Sequence, residues 1–275
     1  GGYLMSKARG LADLGNVYSD GALSNRNLII NGAMNVAQRG VSKVSKTVTN
    51  YDTVDRFRFG LTSLGTWTET QESTGGPNAE FPFSAKYVCT TANASPATGA
   101  LAIAQQSLEG QNLQHFKYGT ADAMDVTLSF WVKSNKTGTY TSELSKWYSA
   151  LRYNPTQFTV SVADTWERKI ITISGDVANA ISNDNGEGLA VLVWLGAGST
   201  YTSGTYTANT WHNSPQNRAA GNVNLADTIG NYFQITGVQL EVGDTATPFE
   251  HRSYAQEMAL CLRYFNKLTY GANDT

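Results

Sequence analysis

The stretch Asp125–Ser134, DVTLSFWVKS, alternates strictly. Val126, Leu128, Phe130 and Val132 fall on one face, and Thr127, Ser129, Trp131 and Lys133 on the other. A period of two over that length marks a half-buried antiparallel strand. It excludes an amphipathic helix, whose apolar residues recur every three or four positions. The same period returns where Phe57, Phe59 and Leu61 alternate with Arg56, Arg58 and Gly60. WERKIITISG, ended by Ser174 and Gly175, and TGALAIAQQS supply further strands. GLAVLVWLGAG, Gly188 to Gly198, is apolar on both faces, which predicts a strand in mid-sheet or under a cover. Composition agrees: of 275 residues only 15% are charged, against 26 Gly and 14 Tyr, as in a turn-rich β protein. About eight to ten strands with long connections predict an all-β jelly-roll sandwich of two antiparallel sheets. No repeat of roughly 20–50 residues points to a propeller or solenoid.

The chain divides into three parts. Residues 1–26 read as an attachment segment and linker, with Leu4, Ala8 and Leu11 at helical spacing and Gly15 as a stop. Residues 27–250 form the sandwich, and residues 251–275 a helix and tail. NLIINGAMNVAQRG (Asn27–Gly40) and FQITGVQLEVGDTATPFEHRS (Phe233–Ser253) read as extended. In a jelly roll the first and last strands are neighbours, so these two segments are expected to pair. Phe233 and Ile235 are out of phase with Val238, Leu240 and Val242. One extra residue must be absorbed, which predicts a β-bulge near Thr236–Gly237. Ser253 with Gln256 forms a capping-box pattern. Tyr254, Met258, Cys261, Leu262 and Phe265 then share one apolar helical face, expected to dock on the body or on a neighbouring subunit.

A net charge of −2 gives no electrostatic footprint for nucleic acid, and no apolar run of about 18 residues predicts membrane insertion. Cys89 and Cys261 read as two buried thiols, neither a disulfide scaffold nor a metal motif. His115, His212 and His251 belong to no Gly-x-Ser-x-Gly or His-Glu-x-x-His motif, so no catalytic set is expected. Glu69, Glu72, Glu80, Asp122 and Asp125 are expected mostly at turns or strand ends, unperturbed, and His251 is expected to hydrogen-bond turn backbone. SNDNGEG (Ser182–Gly188) lacks the spacing of a calcium loop and reads as an Asn–Gly hairpin turn before the strand at Leu189. Aromatics remain. Sugars offer apolar C–H faces that stack on exposed rings, and a sandwich carries recognition on its loops. Trp67, Trp147, Tyr148, Arg152, Tyr201, Tyr206 and Trp211 are therefore the candidate glycan contacts, with Tyr153 beside them. Packing or subunit contact is the other role open to these rings. Trp131, Trp166 and Trp194 are expected in strands, facing the core.

NLIINGAMNVAQRG, YDTVDRFRF and ITGVQLEVGDTATPFEHRSYAQEMALCLRYF closely resemble a module of bacteriophage tail-fibre and other virion-appendage proteins. The resemblance covers roughly residues 24 to 267, strongly at both ends and mainly in pattern from about 60 to 230. More distantly the chain is similar to carbohydrate-binding jelly rolls appended to glycanases. The resemblance implies a virion protein without a cofactor, often a homotrimer, bound to other tail proteins and facing a host cell-surface glycan. A purely structural appendage and a polysaccharide-degrading enzyme are the rival functions. The distant modules often hold a structural calcium through an acidic residue on the first strand and an aspartate on the last. Ala33, Met34, Asn35 and Gln239 stand in the matching stretches, so no metal is expected, and Asp55 and Glu241 are unsupported as ligands.

Overall fold

A computed structural model describes residues 25–146 and 151–267. Residues 1–24 of the attachment segment, with Leu4, Ala8 and Leu11, lie outside the described residues, as do Trp147 and Tyr148. Two antiparallel sheets face each other as a jelly-roll sandwich. One runs in the order β1 (Ser42–Lys46), β3 (Thr66–Glu72), β4 (Ser84–Thr91), β11 (Tyr232–Val242), β6 (Val126–Ser134), β9 (Glu167–Ile173). The other runs β2 (Arg58–Thr62), β5 (Leu101–Glu109), β10 (Glu187–Ala197), β7 (Gly138–Lys146), β8 (Arg152–Val160).

The alternating residues fill the space between the sheets. Val126, Leu128, Phe130 and Val132 of β6 are buried there with Phe59 and Leu61 of β2. Rings join the layers edge to face: Phe130 meets Phe158 at 5.1 Å, and Phe59 meets Trp67 at 5.4 Å. Trp67 is therefore core, not a loop contact. It is fully buried in β3 and donates its indole N–H to the Leu64 carbonyl at 2.6 Å. The polar run TWTETQE hides this because the inward position two residues on is Glu69. That carboxylate sits mid-strand and buried, accepting from Thr53 Oγ1 at 2.6 Å and facing Lys46 Nζ at 3.3 Å. Burial pushes Glu69 above the ordinary carboxyl range, with Thr53 and Lys46 opposing, so it is neither terminal nor unperturbed.

The head and tail segments do lie side by side, but the head is not a strand. β4 leaves β11 after Ile235, and β11 bulges between Thr236 and Gln239, with Gly237 at φ +60°. The bulge stands where the phase change predicts it. Beyond it the freed edge of β11 is covered by irregular backbone. Leu28 N–H donates to Leu240 O and Val238 N–H to Gly32 O, both at 3.0 Å. Asn27 imitates a peptide unit: its side chain accepts from Leu240 N–H and donates to Val238 O, both at 3.1 Å. Asn31 (φ +61°) and Met34 (φ +60°) turn the chain away from any regular ladder.

The C-terminal helix, α2 (Tyr254–Leu262), opens on the expected capping box of Ser253 and Gln256. The expected apolar face is kept in part: Cys261 is buried and Met258 and Phe265 are half-buried, but Tyr254 and Leu262 are exposed and Glu257 is buried in their stead. Glu257 accepts the Asn31 N–H at 2.8 Å, and Arg252 bridges Glu257 at 3.3 Å and the Ile29 carbonyl at 3.1 Å. Both cysteines are free and buried. Burial, with Asp55 and Glu257 nearby, pushes the Cys261 thiol up to about 12.

Three smaller expectations change. Ser182–Gly188 is no hairpin: it carries the chain from β9 to β10 in the opposite sheet, folding on Asp184, whose carboxylate accepts the Gly186 N–H at 2.9 Å. His251 packs against Phe249 at 4.8 Å and Phe81 at 5.5 Å, ring contacts in place of the expected bond to backbone. Trp166 precedes β9 and is half-buried under the Lys133 ammonium, and Trp131 is half-buried on the outer face of β6.

Candidate functional site: a groove on the outer face of the five-stranded sheet

Alternation that sends Phe59, Ala104, Val191 and Leu144 inward sends their neighbours outward. Three cross-strand rungs follow from the register. Arg58, Gln105, Leu192, Glu143 and Pro155 form one; Gly60, Ile103, Trp194, Thr141 and Gln157 the next; Ser107, Ala190, Ser145 and Tyr153 a third. The outer side of β10 is thus apolar between polar neighbours, which explains why this strand reads as apolar on both faces.

The long connection after β10 covers half of this outer surface. Helix α1 (Ser199–Thr202) follows β10 directly, and residues 203–223 fold back over β7 and β8. Gln157 Nε2 donates to Ala220 O at 2.7 Å, and Tyr153 and His212 exchange backbone hydrogen bonds of 2.8 and 3.0 Å. Arg218 is the plug. Its guanidinium meets Glu143 in a bidentate pair of 2.7–3.1 Å and lies 4.1 Å from the Tyr153 ring centroid and 5.0 Å from that of Trp194. Burial opposes its charge, but Glu143 outweighs burial and raises its pKa, while burial raises Glu143 against the pull of Arg218 and the Trp194 N–H.

Over β2, β5 and β10 the surface stays open as a groove of about 270 Å³. Leu101, Ile103, Ala190 and Leu192 line its apolar floor, and Tyr201 and Arg218 form one wall, packed on the fully buried Trp194. Tyr201 is half-buried, its ring 5.1 Å from that of Trp194. Gly60 keeps the floor low: a Cβ there would stand 2.6 Å from Ile103 Cγ1 and force that side chain into the groove. The far end is polar. Arg58 Nη2 donates to Gln105 Oε1 at 2.6 Å, and Gln105 Nε2 points to Glu187 Oε2 at 3.5 Å, which also accepts from Ser107 Oγ. Burial raises the Glu187 pKa against the opposing pull of Ser107 and Arg58. An apolar floor, one ring at the wall and a few fixed polar groups at one end can hold a small amphiphilic ligand.

Of the residues singled out from sequence, Tyr201 lines this groove. Tyr206 is tied down, its hydroxyl accepting the Gln157 N–H at 3.1 Å. Trp211 closes one end of the sandwich, donating to Ser174 O at 2.7 Å and meeting Tyr118 edge-on at 5.8 Å. Arg152 pairs with Asp176 through two bonds of 2.9 Å. Trp194 is a buried strand residue as expected, but it packs on the outer side of β10 rather than between the sheets; Arg58 and Glu187 escaped the sequence reading because strands rather than loops carry them. The signal was present in the Arg56, Arg58, Gly60 face: two cations and a glycine on the outer side of a strand mark a place kept open. Asp55 accepts from Gln38 N–H at 3.0 Å, and Glu241 from Thr247 N–H and Gln239 Nε2, both at 2.9 Å. No group of three metal-ligating residues is found among the described residues.

Distant likenesses exist among solved structures. The tailspike protein 4 enzymatically active domain of bacteriophage CBA120 is 11% identical over 79% of this chain and 21% of its own, with a TM-score of 0.40. This chain therefore spans about a fifth of that structure. A candidate sugar-binding protein of Bacteroides thetaiotaomicron is 15% identical over 79% of this chain and 100% of its own, with a TM-score of 0.43. The CBM22-1 xylan-binding domain of Paenibacillus barcinonensis Xyn10C is 11% identical over 77% and 99%, with a TM-score of 0.34. Likenesses this remote carry no argument about function. No protein-family model and no curated protein matches the sequence.

Proposed function

We propose that this chain is a non-catalytic glycan-binding module of a phage tail fibre or related virion appendage, assembled as a homotrimer and presenting its outer groove to a host cell surface. The groove carries the reading: apolar floor, Tyr201 wall and polar end match the two sides of a sugar ring. Sheet strands hold all of these except Tyr201 and Arg218, so the site is preorganised and little ordering entropy opposes binding. Weak individual sites gain avidity when copies act together. The resemblance at both chain ends supplies the virion setting. Glu143, the second carboxylate on this face, is engaged by Arg218, which favours binding over acid–base chemistry.

Titration of the protein with host-surface oligosaccharides, followed by NMR, tests the reading. Shifts at Tyr201, Ile103 and Trp194, lost in Tyr201→Ala, are expected. Absence of any shift at millimolar sugar sinks direct binding, and sustained release of reducing ends from host polysaccharide sinks the non-catalytic assignment. A structural role is favoured by one observation: Val41, Val44 and Val48 stand 60–65% exposed in and beside the edge strand β1. Light scattering that shows a trimer dispersed by Val44→Lys, with no glycan bound, would favour that role.

A further inference from the structure

We infer that the groove takes an uncharged sugar unit with two adjacent free hydroxyls, clasped between Arg58 and Glu187, and that it turns away acidic and amino sugars. The inference rests on the glycan-binding reading and adds the ligand's charge class and the residues that read it.

Arg58 and Glu187 face one groove with opposite charges, yet neither forms an ion pair within 4.0 Å among the described residues. Gln105 holds them apart, accepting from the guanidinium at 2.6 Å and reaching toward Glu187 Oε2 at 3.5 Å. That arrangement uses Arg58 Nη2 and Glu187 Oε2. Arg58 Nε and Glu187 Oε1 are left with no hydrogen-bond partner in the protein. Ser145 Oγ, on a side chain that is 1% exposed and across Ala190 from Ser107, also has none. Among the described residues thirteen buried side-chain atoms lack a partner, and these three are the ones on groove-lining residues, where an external group could supply it.

The missing partners must accept from a guanidinium N–H and donate to a carboxylate oxygen. A hydroxyl does both, and neighbouring hydroxyls on a pyranose do so at two points. A uronate gains Arg58 but meets Glu187, and an ammonium gains Glu187 but meets Arg58. Either arrangement buries one like-charge contact in a low-dielectric groove. The volume of about 270 Å³ lies just below the usual range for ligand sites, which suits one or two rings rather than a long chain.

The test titrates the intact protein, by NMR, with methyl glycosides of neutral hexoses, of the matching uronic acids and of the matching unacetylated amino sugars. A neutral glycoside is expected to bind about tenfold or more above both charged forms, and to lose about tenfold when one of its adjacent hydroxyls is replaced by hydrogen. Arg58→Ala and Glu187→Ala should each cause a comparable loss; the ligand series gives the same answer without any variant, should one fold poorly. Tightest binding by a uronate, strengthened by Glu187→Ala, overturns the inference and leaves glycan binding standing. No shift with any of the three classes overturns the glycan reading as well.

Discussion

Two polar clusters in this chain use similar residues and differ in how fully they are paired. In the head–tail clasp, Asn25, Asn27, Asn31, Glu250, Arg252 and Glu257 satisfy one another and nearby backbone, and one buried atom beside them, Arg26 Nε, is left without a partner. Glu250 alone accepts the Asn25 and Asn27 N–H groups at 2.6 and 2.7 Å. In the groove, Arg58, Gln105, Ser107 and Glu187 form a chain of bonds that ends in two unpartnered atoms. The clasp shows what internal architecture looks like when polar groups replace a strand. The groove shows polar groups fixed in place with capacity left over, which is the condition for recognising something outside.

Changes that break pairing should therefore cost stability, and changes in the groove should cost binding. Arg218 belongs to both classes, as a groove wall and as the partner of Glu143, and Arg218→Ala is expected to have the largest effect, about 3–5 kcal/mol by chemical denaturation, because it strands the buried Glu143 carboxylate. Asn27→Ala should cost about 2–4 kcal/mol, since it unpairs the Leu240 N–H and the Val238 carbonyl at once. Asp176 supplies a pH-dependent case. Burial alone would raise its pKa, but bonds from Arg152, the Ala178 N–H and Lys146 prevail and lower it. Its contribution is present above the unfolded value near 3.8 and is lost as pH falls through the lower folded value. Asp176→Asn should cost about 1–3 kcal/mol at neutral pH and flatten the acid limb of the stability curve. A stability profile as steep as the parent's would remove Asp176 from that role. Gly237→Ala should cost about 1–2 kcal/mol, because the bulge needs φ near +60° and the new methyl would meet Phe81 at 3.0 Å. Tyr201→Ala should move stability least, by about 1 kcal/mol or less, while removing glycan-induced shifts. A large stability loss there would erase the contrast between the clusters.

Much of the architecture was legible from periodicity. The strand at Val126, the doubly apolar β10, the bulge at Thr236–Gly237 and the capping box at Ser253 all stand where pattern predicts them. Asn27 and Trp67 show where pattern fails. Asn27 behaves as a piece of backbone, which no hydropathy rule registers. Trp67 sits in a polar-looking strand because Lys46 and Thr53 lie opposite Glu69 only in three dimensions. The site was harder still. Loop variability points to loop rings, but residues 203–223 use Tyr206 and Trp211 to seal the sandwich. The open floor was left to strand residues whose partners are set by register.

The contacts between Asn25 and Glu250 also set a mechanical path. Tension applied between residue 25 and residue 267 would meet the clasp and α2 first, and would run along the β11 edge rather than across the five-stranded sheet. The tether could strain or peel while β2, β5 and β10 keep their spacing. Pulling on these two ends would then loosen the tether before it disturbs the outer face of the five-stranded sheet.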